Sequence, residues 1–508
     1  MKVEDIDVND QSIYDFIEEG NTNLVFQLNS KIGKKYTKEM KPKNVDELAM
    51  LLALIRPNML DAGLDKEFIS VRNGEMKPDY PNSKIGIVLD ETHGCSLYQE
   101  QIIKIGKVVA GFNDAQADLL RHSVGKKEKK MMRKVRRPFL EGGIKNGYTL
   151  KELRVIWNKY IKAAARYSFN LSHATSYAYT SARTAYLHCH YPLEFICANL
   201  KYADGDFDKV KAFISVANGQ SIRVLPPKLS NPENDFSILG KDILFGITHI
   251  KGVGKSSIDK IKNLRNTHSI NEYIYRTAIL CELDKTSAVA LINSGATDHL
   301  ERNRKKTYRA FQEFRKLSKK EYASIVSIID RENKINEENS VTHSYDIYSA
   351  CKEMIRDNEI KKYITKKRFE KFKMIIDQAE NVPDITKEDY VNHIKYERDL
   401  LGVSLTGCES DIYDSVDHIC LDVKFLPNKS KVELNVVIED IFTIDDKNGN
   451  EMAFIEVFDS SYRTSAVVFS KQWERLRGIV GKYNIVKIKG VVDKERGESI
   501  LVNKMEVL

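Results

Sequence analysis

No two of the seven cysteines, Cys95, Cys189, Cys197, Cys281, Cys351, Cys408 and Cys420, form a Cys-x-x-Cys pair. Their scatter argues against a disulfide framework and suits reduced thiols in a cytosol. No apolar run approaches the roughly 20 residues that a membrane-spanning helix needs. The opening MKVEDIDVND is acidic and has no apolar stretch, so it is read as neither a signal nor a transit peptide. Strong net charge is missing too, since 80 basic residues against 72 acidic ones leave only +8. What is present, 42% hydrophobic and 30% charged residues in a chain of 508, fits a soluble cytoplasmic protein of two to four domains.

With so small a total, the informative quantity is where charge clusters. Between Arg121 and Arg137 nine basic residues (Arg121, Lys126, Lys127, Lys129, Lys130, Arg133, Lys134, Arg136, Arg137) stand against one acid, Glu128. That density suits a polyanion, although a solvated helix face has the same composition. Downstream, Arg166 to Tyr177 reads RYSFNLSHATSY and opens a helical run that must stop by His190 or Tyr191, ahead of Pro192. Asn170 or Ser172 can cap that helix, and His173 and Tyr177 then lie four apart on one face near its start. A basic segment leading into a helix N-terminus, with a His/Tyr pair beside it, suits a nucleotide's phosphates and its sugar or base.

Six blocks occur in a fixed order: Phe26-Gln27-Leu28-Asn29-Ser30, Leu54-Ile55-Arg56-Pro57, Tyr98-Gln99-Glu100-Gln101, Ala117-Asp118-Leu119-Leu120-Arg121, Gly125-Lys126-Lys127 and Phe169-Asn170-Leu171-Ser172-His173. Together they resemble the bacterial replicative DNA polymerase III alpha subunit, in the part that follows that family's catalytic palm. The resemblance implies a mixed α+β fold: a mostly helical fingers domain over 1–240, a helix-hairpin-helix DNA-binding region over 241–320, a helical connector over 321–425 and an OB-fold β-barrel over 426–508. It also implies a site. Arg121, Lys126, Lys127, Arg166, Ser172, His173 and Tyr177 are expected to hold the nucleotide. Lys34, Lys35, Arg56, Lys130, Arg133, Lys251, Gly252, Gly254 and Lys255 are expected to hold DNA.

This chain departs from the family at three points. Leu171 stands where the family has lysine, Arg121-His122 replaces an Arg-Arg pair, and Arg56-Pro57-Asn58-Met59 replaces Arg-Pro-Gly-Pro. Two positive charges near an incoming triphosphate are thereby lost or weakened, so the phosphate role is expected to fall to Arg121, Lys126, Lys127 and Arg166.

Elsewhere the pattern alternates between helix and turn. Lys31 to Lys43 is basic; Val45 to Ile55 is apolar with helical periodicity and ends before Pro57. Gln99 and Gln101 have the reach to bond a base edge or a sugar; the alternative is that Tyr98 and Gln99 brace the core. Phe245 to Ser256 reads as a short strand, a Gly-Val-Gly hairpin and a helix from Ser256, with amides free to hold a phosphate. Arg302 to Lys320 is basic, with Tyr308, Phe311 and Phe314 at the spacing of a core face. The family's sliding-clamp motif has no convincing copy in 320–395. From Lys431 the pattern alternates as in strands, with a hairpin at Asp446 to Asn450 and one helix at Gln472 to Ile479, as in a small closed barrel. Phe442, Phe454, Phe458 and Tyr462 are its candidates for stacking on single-stranded bases, at least half of them being expected in the core.

Polymerase chemistry needs carboxylates holding two metal ions about 4 Å apart, and in the family these lie upstream of the first matching block. Asp5-Ile6-Asp7 reads as an exposed acidic start, Asp204 to Asp208 as a surface turn without the calcium-loop glycine, and His188, Cys189, His190 and Cys197 lack zinc spacing. No catalytic or metal-binding residue is therefore assigned. The expectation is the nucleotide-positioning, DNA-binding half of a split replicative polymerase, from a bacterium or phage. It would work on a primer-template and dNTPs with a palm-bearing chain that supplies most of the Mg2+ binding, with a sliding clamp and other replisome proteins as further candidate partners, and would be inactive alone. The alternative is a non-catalytic DNA-binding accessory protein derived from polymerase fingers.

Overall fold

The computed structural model describes residues 2–56, 59–60, 63–125, 129–162, 169–203, 205–339, 341–356, 364–495 and 498–508. The chain divides into two compact units, Met1–Phe195 and Ile196–Leu508.

The first unit is built around the helix Leu171–His190. Ala174, Ala178, Ala182 and Ala185, spaced four, four and three apart, are its buried stripe. So small a stripe permits close packing on the helix Val45–Leu54, in which seven residues, from Val45 to Leu54, are buried. Hydroxyls on the same helix secure a neighbouring turn: Phe26 N–H donates to Thr184 Oγ1 at 3.0 Å, and Ser181 Oγ donates to the Phe26 carbonyl at 2.8 Å. Around this pair stand the helices Gln11–Glu18, Lys31–Met40, Leu64–Arg72, Gln99–Ala110, Asp114–Gly125, Lys129–Lys145 and Leu150–Ile156. The basic helix Lys129–Lys145 lies directly on Gln99–Ala110: a Cβ at Gly142 would come within 2.1 Å of the Ala110 carbonyl oxygen. Leu150–Ile156 is a regular α-helix that continues as a π-helical turn through Lys162.

The second unit starts within the helix Pro192–Lys201 and continues with the helix Phe207–Gly219, capped by Asp206, and a three-stranded sheet of β1 (Val224–Leu225), β2 (Ser237–Leu239) and β3 (Asp242–Leu244) in the order β1-β3-β2. The strand before the Gly-Val-Gly hairpin thus lies at Asp242–Leu244, one turn earlier than expected, and Ile247–His249 forms a 3-10 turn. Helices Arg304–Phe314, Lys319–Glu338, Ile347–Arg356, Lys366–Glu380 and Lys387–Leu401 follow. Phe311 and Phe314 are buried, as their spacing requires. The Arg304 guanidinium meets the fully buried Glu397 carboxylate at 2.6 Å, and Glu397 also accepts from the amides of Leu405 and Thr406. A buried acid with this many donors fixes the turn that leads into the last domain.

That domain is a closed five-stranded barrel, consistent with an OB-fold: β4 (Lys431–Asp445), β5 (Glu451–Phe458), β6 (Arg463–Val468), β7 (Ile485–Asp493) and β8 (Ser499–Val507), in the order β4-β5-β6-β8-β7. β4 pairs with β7 through its first half and with β5 through its second, with a bulge between Ile438 and Asp440. The Asp446 carboxylate accepts from the amides of Asn448 and Asn450, and Gly449 takes a φ of +77° in the expected hairpin. The barrel helix is Ser470–Leu476, shifted towards the N-terminus from expectation, and β8 had no sequence assignment. Among the described residues no helix is long and apolar enough to cross a membrane.

Candidate nucleotide and DNA interface

In the first unit, Phe169 forms an isolated parallel bridge with Tyr98. Gln99 N–H donates to the Phe169 carbonyl at 2.8 Å, and Phe169 N–H donates to the Leu97 carbonyl at 2.9 Å. The turn that follows starts the Leu171–His190 helix. Asn170 is its cap, accepting from His173 N–H at 2.9 Å and from Ser172 Oγ at 2.6 Å. Glu100 accepts from Leu171 N–H at 2.9 Å. The helix N-terminus is thus already served by one amide oxygen and one carboxylate, which is what free amides and a helix dipole favour.

Four side chains line up along this turn and the start of the helix. The Arg56 guanidinium lies 3.4 Å from the centre of the Phe169 ring, Phe169 meets His173 edge to face at 5.2 Å, and His173 and Tyr177 are 4.1 Å apart. Tyr177 continues to Phe26 at 5.1 Å. Desolvation against this packing draws the Arg56 pKa below the usual arginine range, far too little to discharge a guanidinium at neutral pH. Ser172 and His173 are exposed, and Tyr177 is half-buried. Arg121 reaches the same place from the helix Asp114–Gly125. It pairs with Asp118 at 2.8 Å and extends NH1 towards Gln99 Oε1 at 3.5 Å.

Of the expected nucleotide residues, Arg121, Ser172, His173 and Tyr177 therefore belong to one neighbourhood, together with Arg56. Lys126, Lys127 and Arg166 lie outside the described residues, and so does the side chain of Lys130. Arg133 is exposed on Lys129–Lys145, and neither it nor Lys134 or Arg136 has an ion-pair partner among the described residues. The basic run further upstream is partly used internally. Lys35 pairs with Glu39 at 3.7 Å, Lys34 is half-buried, and Lys41 and Lys43 both pair with Glu18, holding its carboxyl down at about 2.

Gln101 is buried: its Oε1 accepts from Tyr98 N–H, and its Nε2 donates to the Val88 carbonyl and to Thr92 Oγ1. Together with buried Tyr98 it braces the core, while Gln99 faces Arg121. Sequence reasoning passed over Glu100 and Asp118, the two acids that organise the turn and the arginine. Asp118 had a signal, because residues three apart on a helix are neighbours.

In the second unit, Gly252 has a φ of +94°, a region open to glycine, and Lys251, Gly252, Gly254 and Lys255 are all exposed. Lys255–Ser257 forms a 3-10 turn into the helix Ile258–Leu264. The hairpin is tied from below: Ser257 Oγ donates to Asp284 at 2.7 Å, and Ser287 Oγ donates to the Gly252 carbonyl at 3.3 Å. Among the described residues the amides of Gly254, Lys255 and Ser256 make no bond to protein, so three donors are left free on one exposed turn.

On the barrel, Phe442 and Phe454 are 52% and 38% exposed, whereas Phe458 lies beneath the guanidinium groups of Arg398 and Arg463 and Tyr462 packs on the barrel core. Among the described residues no three His, Cys, Asp or Glu side chains are grouped to hold a metal ion. The donor set for a magnesium pair does not fit here, and no chemical step is assigned to one.

Residues 1–147 match the family model of the bacterial DNA polymerase III alpha subunit finger domain, and residues 221–307 match a helix-hairpin-helix motif. Over 97% of its length the chain is 27% identical to DNA polymerase III subunit alpha of Aquifex aeolicus, covering 38% of that protein. Against the same subunit of Campylobacter jejuni it is 28% identical over 95% of its length, again covering 38%. With that of Helicobacter pylori strain 26695 it shares 30% identity over 59% of its length, covering 26%. The chain thus spans about two fifths, or less, of the curated relatives it matches.

Proposed function

Because this chain is related over nearly its whole length to the fingers-to-barrel part of the bacterial DNA polymerase III alpha subunit, we propose that it binds primer-template DNA and positions the incoming nucleotide for a replicative polymerase whose palm is on a separate chain. The observation that carries this reading is the convergence on one exposed turn of Arg56, Gln99, Arg121 and the Phe169–Tyr177 segment, four regions far apart in sequence. A cation over a ring and a row of rings beside a second cation offer a base a stacking partner and a phosphate its counter-charge.

In this reading Arg121, Ser172, His173 and Tyr177 meet the nucleotide, joined by Lys126, Lys127 and Arg166. Lys34, Lys35, Arg56, Lys130 and Arg133 meet the DNA strands, joined by the exposed Lys134 and Arg136 beside Arg133 on the same helix. The hairpin of Lys251, Gly252, Gly254 and Lys255 grips duplex phosphates through its free amides without reading sequence. The carboxylates and magnesium ions of the chemical step belong to the partner, with dNTP as substrate.

The test is primer extension with magnesium and four dNTPs, using this chain alone and then with the palm-bearing chain encoded in the same genome. Synthesis with both and with neither alone is expected. DNA binding without synthesis in the mixture would overturn the split-polymerase reading and favour a non-catalytic accessory protein.

A further inference from the structure

The barrel's outer wall carries an apolar patch in a setting that repels nucleic acid. Along β5, Ala453, Ile455 and Val457 fill the barrel, so Met452, Phe454 and Glu456 point outward. Phe442 stands directly opposite Phe454, Ile444 opposite Met452, and Asp440 opposite Glu456. Phe442, Ile444 and Phe454 are 52%, 50% and 38% exposed, and Phe469, just beyond β6, is 44% exposed.

Along the strand segments that carry this patch the charge is mostly negative, with Arg463, Arg477 and Lys482 reaching it from neighbouring elements. From Glu439 to Glu456 the chain has six acids (Glu439, Asp440, Asp445, Asp446, Glu451, Glu456) and one base, Lys447, in a protein whose total is +8. Some are engaged: Glu439 by Arg463 at 2.8 Å, Asp440 by Lys482 at 3.5 Å, Glu451 by the Trp473 indole at 2.9 Å, and Asp446 by its own hairpin. Asp445 and Glu456 are exposed and have no partner among the described residues. Two acids placed directly opposite on adjacent strands destabilise a sheet, so the Asp440–Glu456 pair costs stability that an incoming cation would return.

We propose that the outer face of β4 and β5, centred on Phe442 and Phe454, docks a protein segment that is both basic and apolar. Exposed aromatic side chains at the centre of a patch are what binding hot spots are made of, and an acidic rim selects a lysine- or arginine-bearing partner. A single-stranded template would bring its phosphates against these acids, so stacking of bases on these two rings is disfavoured. The inference does not depend on the polymerase reading.

The test uses the full chain and three fluorescent probes: an amphipathic leucine/lysine peptide, a leucine/glutamate peptide of the same pattern, and oligo-dT. The leucine/lysine peptide is expected to bind in a salt-sensitive way, with Phe442→Ser/Phe454→Ser weakening it about tenfold or more and leaving oligo-dT binding unchanged. Asp440→Lys/Glu456→Lys keeps both rings and reverses the sign of the opposed pair; it should transfer preference to the leucine/glutamate peptide, which keeps the test valid if the serine variant fails to fold. No peptide binding to the wild type, no reversal by the charge swap, or loss of oligo-dT binding in the serine variant would each overturn the proposal.

Discussion

The amide of Leu171 donates to the Glu100 carboxylate at 2.9 Å, joining the start of the Leu171–His190 helix to the segment that bridges Phe169. Residue 171 is leucine, so the carboxylate has a backbone partner and no side-chain one from it. Replacing Glu100 with alanine should lower stability by about 1 kcal/mol, the usual worth of one such bond, whereas glutamine, which keeps an acceptor, should lose about half of that or less. Urea midpoints of the two variants check this.

Gln27 takes a φ of +63° beside a peptide held on both sides by Thr184 and Ser181. The left-handed region costs a side chain roughly 1–2 kcal/mol, more for a β-branched one. Gln27→Val should therefore destabilise the protein by about 1–2 kcal/mol, while Gln27→Gly stays within about 0.5 kcal/mol of wild type, because strain relief and the flexibility of unfolded glycine offset each other. Thermal melts of both variants measure the contrast.

His188, 2% exposed between Phe16 and Phe195, is pushed down to about 4 by burial. Between its ordinary value of 6.5 and 4, the unfolded chain binds the proton and the folded chain does not, so the stability this group contributes is present above 6.5 and is lost as pH falls. The loss is on the order of 3 kcal/mol across that window. His188→Leu should remove that part of the acid sensitivity; equal losses in wild type and variant between pH 7 and pH 4.5 would exclude this assignment.

The Arg56 guanidinium carbon lies 3.4 Å from the centre of the Phe169 ring. Arg56→Ala should weaken primer-template binding by about 1 kcal/mol, the scale of a partly desolvated cation–ring contact and its charge. Lysine should recover less than half of that, since an ammonium cannot stack as a planar guanidinium does. Anisotropy titrations of the three proteins decide it.

The elements with strong local signals were legible. The capping residue Asn170, the stop before Pro192, the Asp446–Asn450 hairpin and the buried spacing of Phe311 and Phe314 all follow from short-range rules, and the structure has them. Strand β8 was not, because its pairing partners β6 and β7 are remote or reached by a loop, and alternation alone does not announce a closing strand. In the site, the rings and arginines were visible as residue types. That Arg56 lies on Phe169, and that Glu100 caps the helix 71 residues away, were not, since nothing local encodes a long-range contact.

The most direct test of the account measures primer-template binding by the full chain as a function of salt, before and after neutralising Arg133, Lys134 and Arg136. Each phosphate contact contributes about 0.9 to the slope of log affinity against log salt. The account predicts salt-sensitive binding in the wild type and a slope that falls by about two to three in the triple variant. An unchanged slope, or no binding at low salt, would contradict it.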